Sequence, residues 1–109
     1  MTYSEYFASV KAKFMGTDVS DIKEHLAYQF NVLGEETGIF YVEIKEGQLF
    51  IEPYEYFDRD AIFTATADVF NDIMDGNLDP VAAFMFQKLK VEGNLEQALK
   101  INDLIKRRK

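Results

Sequence analysis

Residues 75–100, DGNLDPVAAFMFQKLKVEGNLEQALK, place six consecutive apolar residues, Val81–Phe86, directly behind an Asp-Pro pair. Proline at a first helical position forfeits no hydrogen bond and aspartate is a good N-cap, so the pair Asp79-Pro80 predicts a helix starting there. A helix packed against one neighbour needs only an apolar stripe. This one has no polar face, which predicts cover on every side: other helices, a partner chain, or an apolar ligand. Beyond it, Leu89 and Val91 predict a short strand, and Gly93-Asn94 leads into a final helix reaching about Ile105. On that helix Leu95, Ala98, Leu99, Ile101, Leu104 and Ile105 span more than half the circumference at about 100° per residue. Asn102 falls inside this apolar arc and offers an amide to an otherwise greasy surface.

Working back toward the N-terminus, Val69, Phe70, Ile73 and Met74 share one side of a short helix capped by Thr66 or Asp68 and closed by Gly76. Ala61–Thr66 alternates as a strand. Before it, Leu26, Tyr28, Phe30 and Val32 alternate with Ala27, Gln29 and Asn31, and Ile39–Ile44 and Gln48–Glu52 repeat the period of two. The Glu46-Gly47 connection between the last two is tight, so the three strands form a meander that Pro53 ends. Thr2 and Glu5 have the spacing of a capping box, predicting a helix over about residues 3–15, with Gly16 as its left-handed terminator. The order helix, three strands, crossover, strand, two helices, strand, helix predicts an α+β fold. It is a five-stranded, mostly antiparallel sheet with helices packed on one face, within one domain over residues 1–109.

The chain of 109 residues has no cysteine, which removes disulfides, zinc-thiolate sites and thiol nucleophiles together. Its net charge of −7 lies wholly in residues 1–60, while residues 61–109 are balanced. Nucleic acid is therefore an unsuited partner. No apolar run approaches the roughly 20 residues that span a bilayer, and the first residues lack a secretory pattern, so a cytoplasmic location is expected. The terminal Lys-Arg-Arg-Lys complements a helix C-terminus and supports at most transient contact with an anionic membrane.

Little here supports catalysis. None of the three serines sits in a GxSxG turn, and His25 has no evident nucleophile or acid beside it. Asp58 and Asp60 lack the pattern of a calcium loop and read as a solvated loop. Nucleotide-binding glycine motifs are absent, so neither a cofactor nor a metal is expected.

The succession FNDIMDG (70–76), LDPVAAFMF (78–86), KLKVEGN (88–94) and LEQALKINDL (95–104) resembles the sterol carrier protein 2-like (SCP-2) domains. The meander GIFYVEIKEGQLFIEP and the strand AIFTAT are similar too. The resemblance departs at Gln87, where that family usually has a glycine. It implies a five-stranded sheet with an apolar tunnel between sheet and helices, binding a small-molecule lipid such as a fatty acid, acyl-CoA or sterol-like ligand, without catalysis. Carried onto this chain, the ligand-binding candidates are Phe70, Ile73, Met74, Phe84, Met85, Phe86, Leu95, Leu99 and Asn102. The alternative is a dimerisation or accessory interaction module, a homodimer for example, using the same fold with Tyr54, Tyr56 and Phe57 as a contact patch.

Overall fold

The structure, a computed structural model, describes residues 2–34, 37–55 and 58–108, with Arg108 described by its backbone. The chain order is α1 (Tyr3–Phe14), β1 (Leu26–Leu33), β2 (Gly38–Lys45), β3 (Gln48–Glu52), β4 (Ala61–Thr66), α2 (Ala67–Met74), α3 (Pro80–Met85), β5 (Lys90–Gly93), α4 (Leu95–Leu99) and α5 (Ile101–Arg108). The five strands form one sheet in the order β3-β2-β1-β4-β5. Three of its pairings are antiparallel, and β1 with β4 is parallel. The outer strands are short, and each end of the sheet carries charge or proline: Lys90 and Glu92 on β5, Pro53 just past β3.

Register decides what the helices meet. Phe40 on β2, Phe30 on β1, Phe63 on β4 and Val91 on β5 are directly paired across the strands and lie in one row on one face. The Phe30 ring stacks on Phe40 at 4.8 Å and on Phe63 at 5.2 Å between centroids, and meets Phe70 of α2 edge-on at 5.4 Å. Tyr6, Val10 and Phe14 of α1, Phe70, Ile73 and Met74 of α2, and Ile101, Leu104 and Ile105 of α5 are buried in the same core. All of these helices therefore cover the aromatic side of the sheet.

Local chemistry fixes the ends. Thr2 and Glu5 close the expected capping box on α1. Glu46 and Gly47 both have positive φ, 54° and 73°, the geometry of a type I′ hairpin turn. Thr66 caps α2 by accepting from the Val69 amide, and Asp79 caps α3 by accepting from the Ala82 amide. Gly93 has φ 98°, and a Cβ there would stand 2.6 Å from the Asp60 carbonyl oxygen, so the β4–β5 approach requires glycine.

Four expectations are corrected. Gly16 does not take a left-handed conformation; α1 ends through Met15 in right-handed geometry, with the Thr17 amide on the Phe14 carbonyl. Asp60 is not a solvated loop residue: its carboxylate accepts from the Ala27 amide at 2.9 Å, its amide donates to the Ala27 carbonyl, and its carbonyl accepts from Asn94. A residue that joins segments distant in sequence through both its carboxylate and its backbone is invisible to local pattern. The final helix breaks at Lys100 because the Gln97 carbonyl, which would accept the next ladder bond, is taken by the Tyr28 hydroxyl at 2.7 Å and the Lys100 amide at 3.2 Å. Finally, α3 is not covered on all sides. Only Ala83 is buried, while Val81, Phe84, Met85 and Phe86 are exposed.

Candidate functional site: an apolar void and the groove beside it

The aromatic row forms the floor of a small apolar void of about 40 Å³. Its roof comes from Phe14 of α1, Phe70, Ile73 and Met74 of α2, and Ile101, Leu104 and Ile105 of α5, with Pro80 and Leu89 closing one side. Phe30 sits on the central strand yet is only partly buried, whereas its neighbours Phe40 and Phe63 are 1% and 4% exposed. The surface Phe30 keeps faces this void. Among the described residues no polar side chain lines it, so they offer nothing to hold a water molecule. At that size it is far below the roughly 150 Å³ that accommodates benzene.

Outside the void lies a groove of about 250 Å³ between α3, β5, α4 and the start of α5. Val81 and Phe84 form one wall, Leu95, Leu99 and Asn102 the other, and Val91 and Ala98 lie along it. Phe63, Pro80, Leu89 and Ile101 line both spaces, so a partition one side chain thick separates the open groove from the inner void.

Seven of the nine sequence candidates thus fall on two adjoining apolar spaces. Phe70, Ile73 and Met74 line the void, and Phe84, Leu95, Leu99 and Asn102 line the groove. Met85 and Phe86 line neither, being 73% and 75% exposed beside the groove. Sequence reasoning passed over the partition. Phe63, Leu89 and Ile101 are buried, and nothing in their spacing separates a shared wall from ordinary core. Tyr54 is 63% exposed, while Tyr56 and Phe57 lie outside the described residues.

Gln87 occupies the usual glycine position and adopts the glycine conformation, with φ 62°. It neither lengthens α3, which stops at Met85, nor lines either space. The left-handed turn lets the Lys88 and Leu89 amides reach back to the Ala83 carbonyl, at 2.9 and 3.2 Å, and drives Leu89 into the partition. A non-glycine residue in this region costs about 1–2 kcal/mol. Gln87→Gly is therefore expected to raise the unfolding free energy by about 0.5–1 kcal/mol, after the extra entropy glycine loses on folding. Urea denaturation should show a higher midpoint at unchanged slope.

A third hollow, about 320 Å³, also borders the start of α5, lined by Asp103 and Leu104 together with Ile22, Glu24, Leu26 and Lys100. It is charged, and one ion pair spans it: Lys100 Nζ contacts both Glu24 carboxylate oxygens at 2.6 and 2.7 Å. Those hydrogen bonds, with one from Gln97, hold the Glu24 carboxyl below its usual range. Burial first, and then the charges of Asp60 and Glu24, push the Tyr28 phenol well above its ordinary value, so it stays protonated and donates to the Gln97 carbonyl. Across the sheet, His25 Nε2 lies 2.6 Å from the buried Glu43 carboxylate. Among the described residues no group of three or more His, Cys, Asp or Glu side chains is arranged to hold a metal, and no helix is long and apolar enough to cross a membrane.

The chain is 34% identical over 79 residues to hydroxysteroid dehydrogenase-like protein 2 of Mus musculus, covering 72% of this chain but only 16% of that protein. It is 33% identical over 89 residues to sterol carrier protein 2 of Arabidopsis thaliana, covering 78% of this chain and 72% of the relative. The solved structure of the ubiquinone synthesis protein UbiJ-SCP2 has the same fold, with a TM-score of 0.76 over 97% of each chain at 14% identity. Residues 7–106 match the family model of the SCP-2 sterol transfer family, and the chain belongs to that family.

Proposed function

We propose that this chain is a non-catalytic lipid-binding domain that holds an acyl, sterol or isoprenoid-type ligand between its sheet and helices. One observation carries the reading: apolar lining continues from the Phe40–Phe30–Phe63 row, through the shared residues Phe63, Pro80, Leu89 and Ile101, to the open groove. Neither space alone encloses a long chain, so the ligand enters the groove and displaces the partition. Of the four shared residues Pro80 belongs to α3, which buries only Ala83, and Leu89 is tied to α3 through its amide on the Ala83 carbonyl, so movement of α3 carries that side of the partition with it. Each methylene transferred from water contributes about 0.8 kcal/mol, so a 16-carbon chain brings a gross driving force near 12 kcal/mol before ordering costs. In this arrangement Phe70, Ile73 and Met74 meet the deep end of the chain, and Phe84, Leu95, Leu99 and Asn102 the shallow end.

Native mass spectrometry of the purified chain, with displacement of a fluorescent fatty acid, tests the proposal. Adduct mass that competing lipids remove is the expected result. Probes from C10 acids to sterols all failing to bind, with a doubled mass and no adduct, would instead establish the accessory-module reading. That second reading draws on Met85 and Phe86, whose exposed side chains lie outside both apolar spaces.

A further inference from the structure

Of the ten large apolar side chains that stand exposed among the described residues, six belong to α3, the residue after it and α4: Val81, Phe84, Met85, Phe86, Leu95 and Leu99. Four of them line the groove, and Met85 and Phe86 stand beyond it where α3 turns toward β5. Residues 81–91 carry two lysines and no acid, in a chain of net charge −7. Lys88 is exposed and forms no ion pair among the described residues. Lys90 reaches Glu92 at 3.5 Å with side chains 67% and 49% exposed, so that pair leaves much of its charge in solvent. Asp79 lies at the opposite end of α3, accepting from the Ala82 amide, and Glu96 lies outside the groove lining. The acidic hairpin β2–β3, with Glu43, Glu46 and Glu52, is at the other edge of the sheet from β5, about 14–19 Å away at the usual strand spacing. A surface meeting this turn feels the nearby lysines and little of that acid, because screening at physiological salt acts over about 8 Å.

We propose that the turn from α3 into β5 docks on a bilayer that carries anionic lipid: Phe84, Met85 and Phe86 enter the headgroup layer, Lys88 meets the lipid anions, and the groove opens onto the acyl chains. The proposal goes beyond the lipid-binding reading and is tested apart from it. The chemistry of the patch selects a bilayer over a protein. A protein interface is fixed by about ten direct hydrogen bonds. The six exposed apolar side chains supply none, and a hydrocarbon layer asks for none. A second copy of the chain fits less well still. A two-fold contact sets the same patch against itself, which brings two sets of lysines together with no acid in residues 81–91 to answer them. A bilayer accepts the apolar side chains below its headgroups and leaves the lysine ammonium among them, with the lysine stem lying along apolar surface.

The test floats the full chain with vesicles of phosphatidylcholine alone, or of phosphatidylcholine with phosphatidylserine at about 7:3, in about 0.1 M salt. Wild type should bind the mixed vesicles at least about fivefold tighter than phosphatidylcholine alone. The double variant Met85→Ser, Phe86→Ser should bind both at least about tenfold more weakly. Lys88→Glu should abolish the preference for phosphatidylserine, and Lys45→Glu, the same change of charge on the exposed end of β2, should keep it. All these residues are exposed, so the urea midpoints should match wild type. Met85 and Phe86 line neither apolar space, so the double variant should also take up a monomeric fluorescent fatty acid as wild type does. Equal binding to both vesicles, or Lys45→Glu acting as Lys88→Glu does, overturns the proposal. So does a concentration-dependent dimer in sedimentation that the double variant dissolves, which would make a second copy the occupant. Wild type taking up the fatty acid but ignoring both vesicles overturns the docking and leaves the lipid-binding reading intact. The predicted vesicle binding without uptake supports the docking and overturns that reading.

Discussion

Phe40→Ala is expected to lower the unfolding free energy by about 3–5 kcal/mol, the cost of deleting a fully buried phenylalanine and leaving its cavity. Phe40 is 1% exposed, stacks on Phe30 at 4.8 Å and meets Phe7 of α1 at 5.8 Å, so its loss uncouples sheet from helix as well as strand from strand. The same substitution at Phe30, one strand away in the same row, should cost distinctly less. Both rings line the void, but Phe40 is 1% exposed and Phe30 only partly buried, so truncating Phe30 gives up less buried surface. Urea denaturation of both variants separates two ideas of the interior. Equal losses would mean that Phe30 is ordinary core and that the void is a packing defect. A smaller loss at Phe30, with altered lipid uptake, would mark that row as the floor of a binding space.

Leu99→Asp should weaken uptake of any apolar chain by at least about tenfold while changing stability by no more than about 0.5 kcal/mol. Leu99 is 56% exposed at the end of α4, so the folded protein loses little packing, and the new carboxylate is hydrated until a ligand covers it. Covering it leaves a charge without a partner, because every other residue lining the groove is apolar except Asn102. Glu96→Asp, on the same helix but outside the groove lining, is the matched control and should leave uptake unchanged. If Leu99→Asp takes up lipid as wild type does, the groove is not the entrance, and the space between sheet and helices is reached from elsewhere.

The strand and helix pattern was legible because the periods are clean. The alternation in Leu26–Val32 and in Ala61–Thr66, and the Asp79-Pro80 start, are statements about neighbours in sequence, and each appears where expected. What was hidden depends on partners distant along the chain. Asp60 is fixed by Ala27 and Asn94, and the Lys100 break by Tyr28, and no local composition announces either contact. The apolar run Val81–Phe86 misled for a related reason. Its lack of a polar face predicts cover on all sides, but α3 is so short that it buries only Ala83; Val81 and Phe84 line the groove, and Met85 and Phe86 stand exposed outside it. Gln87 shows the complementary case: the backbone geometry persists without the residue type that normally signals it.

The chain order also sets a hazard during translation. β1, β2 and β3 are complete by residue 52, and apart from α1 the helices that cover their aromatic face come from residues 67–108. At about 5–20 residues per second the ribosome needs several seconds to deliver that cover, during which Phe30 and Phe40 are available to any neighbouring nascent chain. The half of the molecule that is oily and unfinished is also the half that carries the whole net charge of −7, and mutual repulsion of those acidic segments keeps partly made copies apart until the last helix arrives.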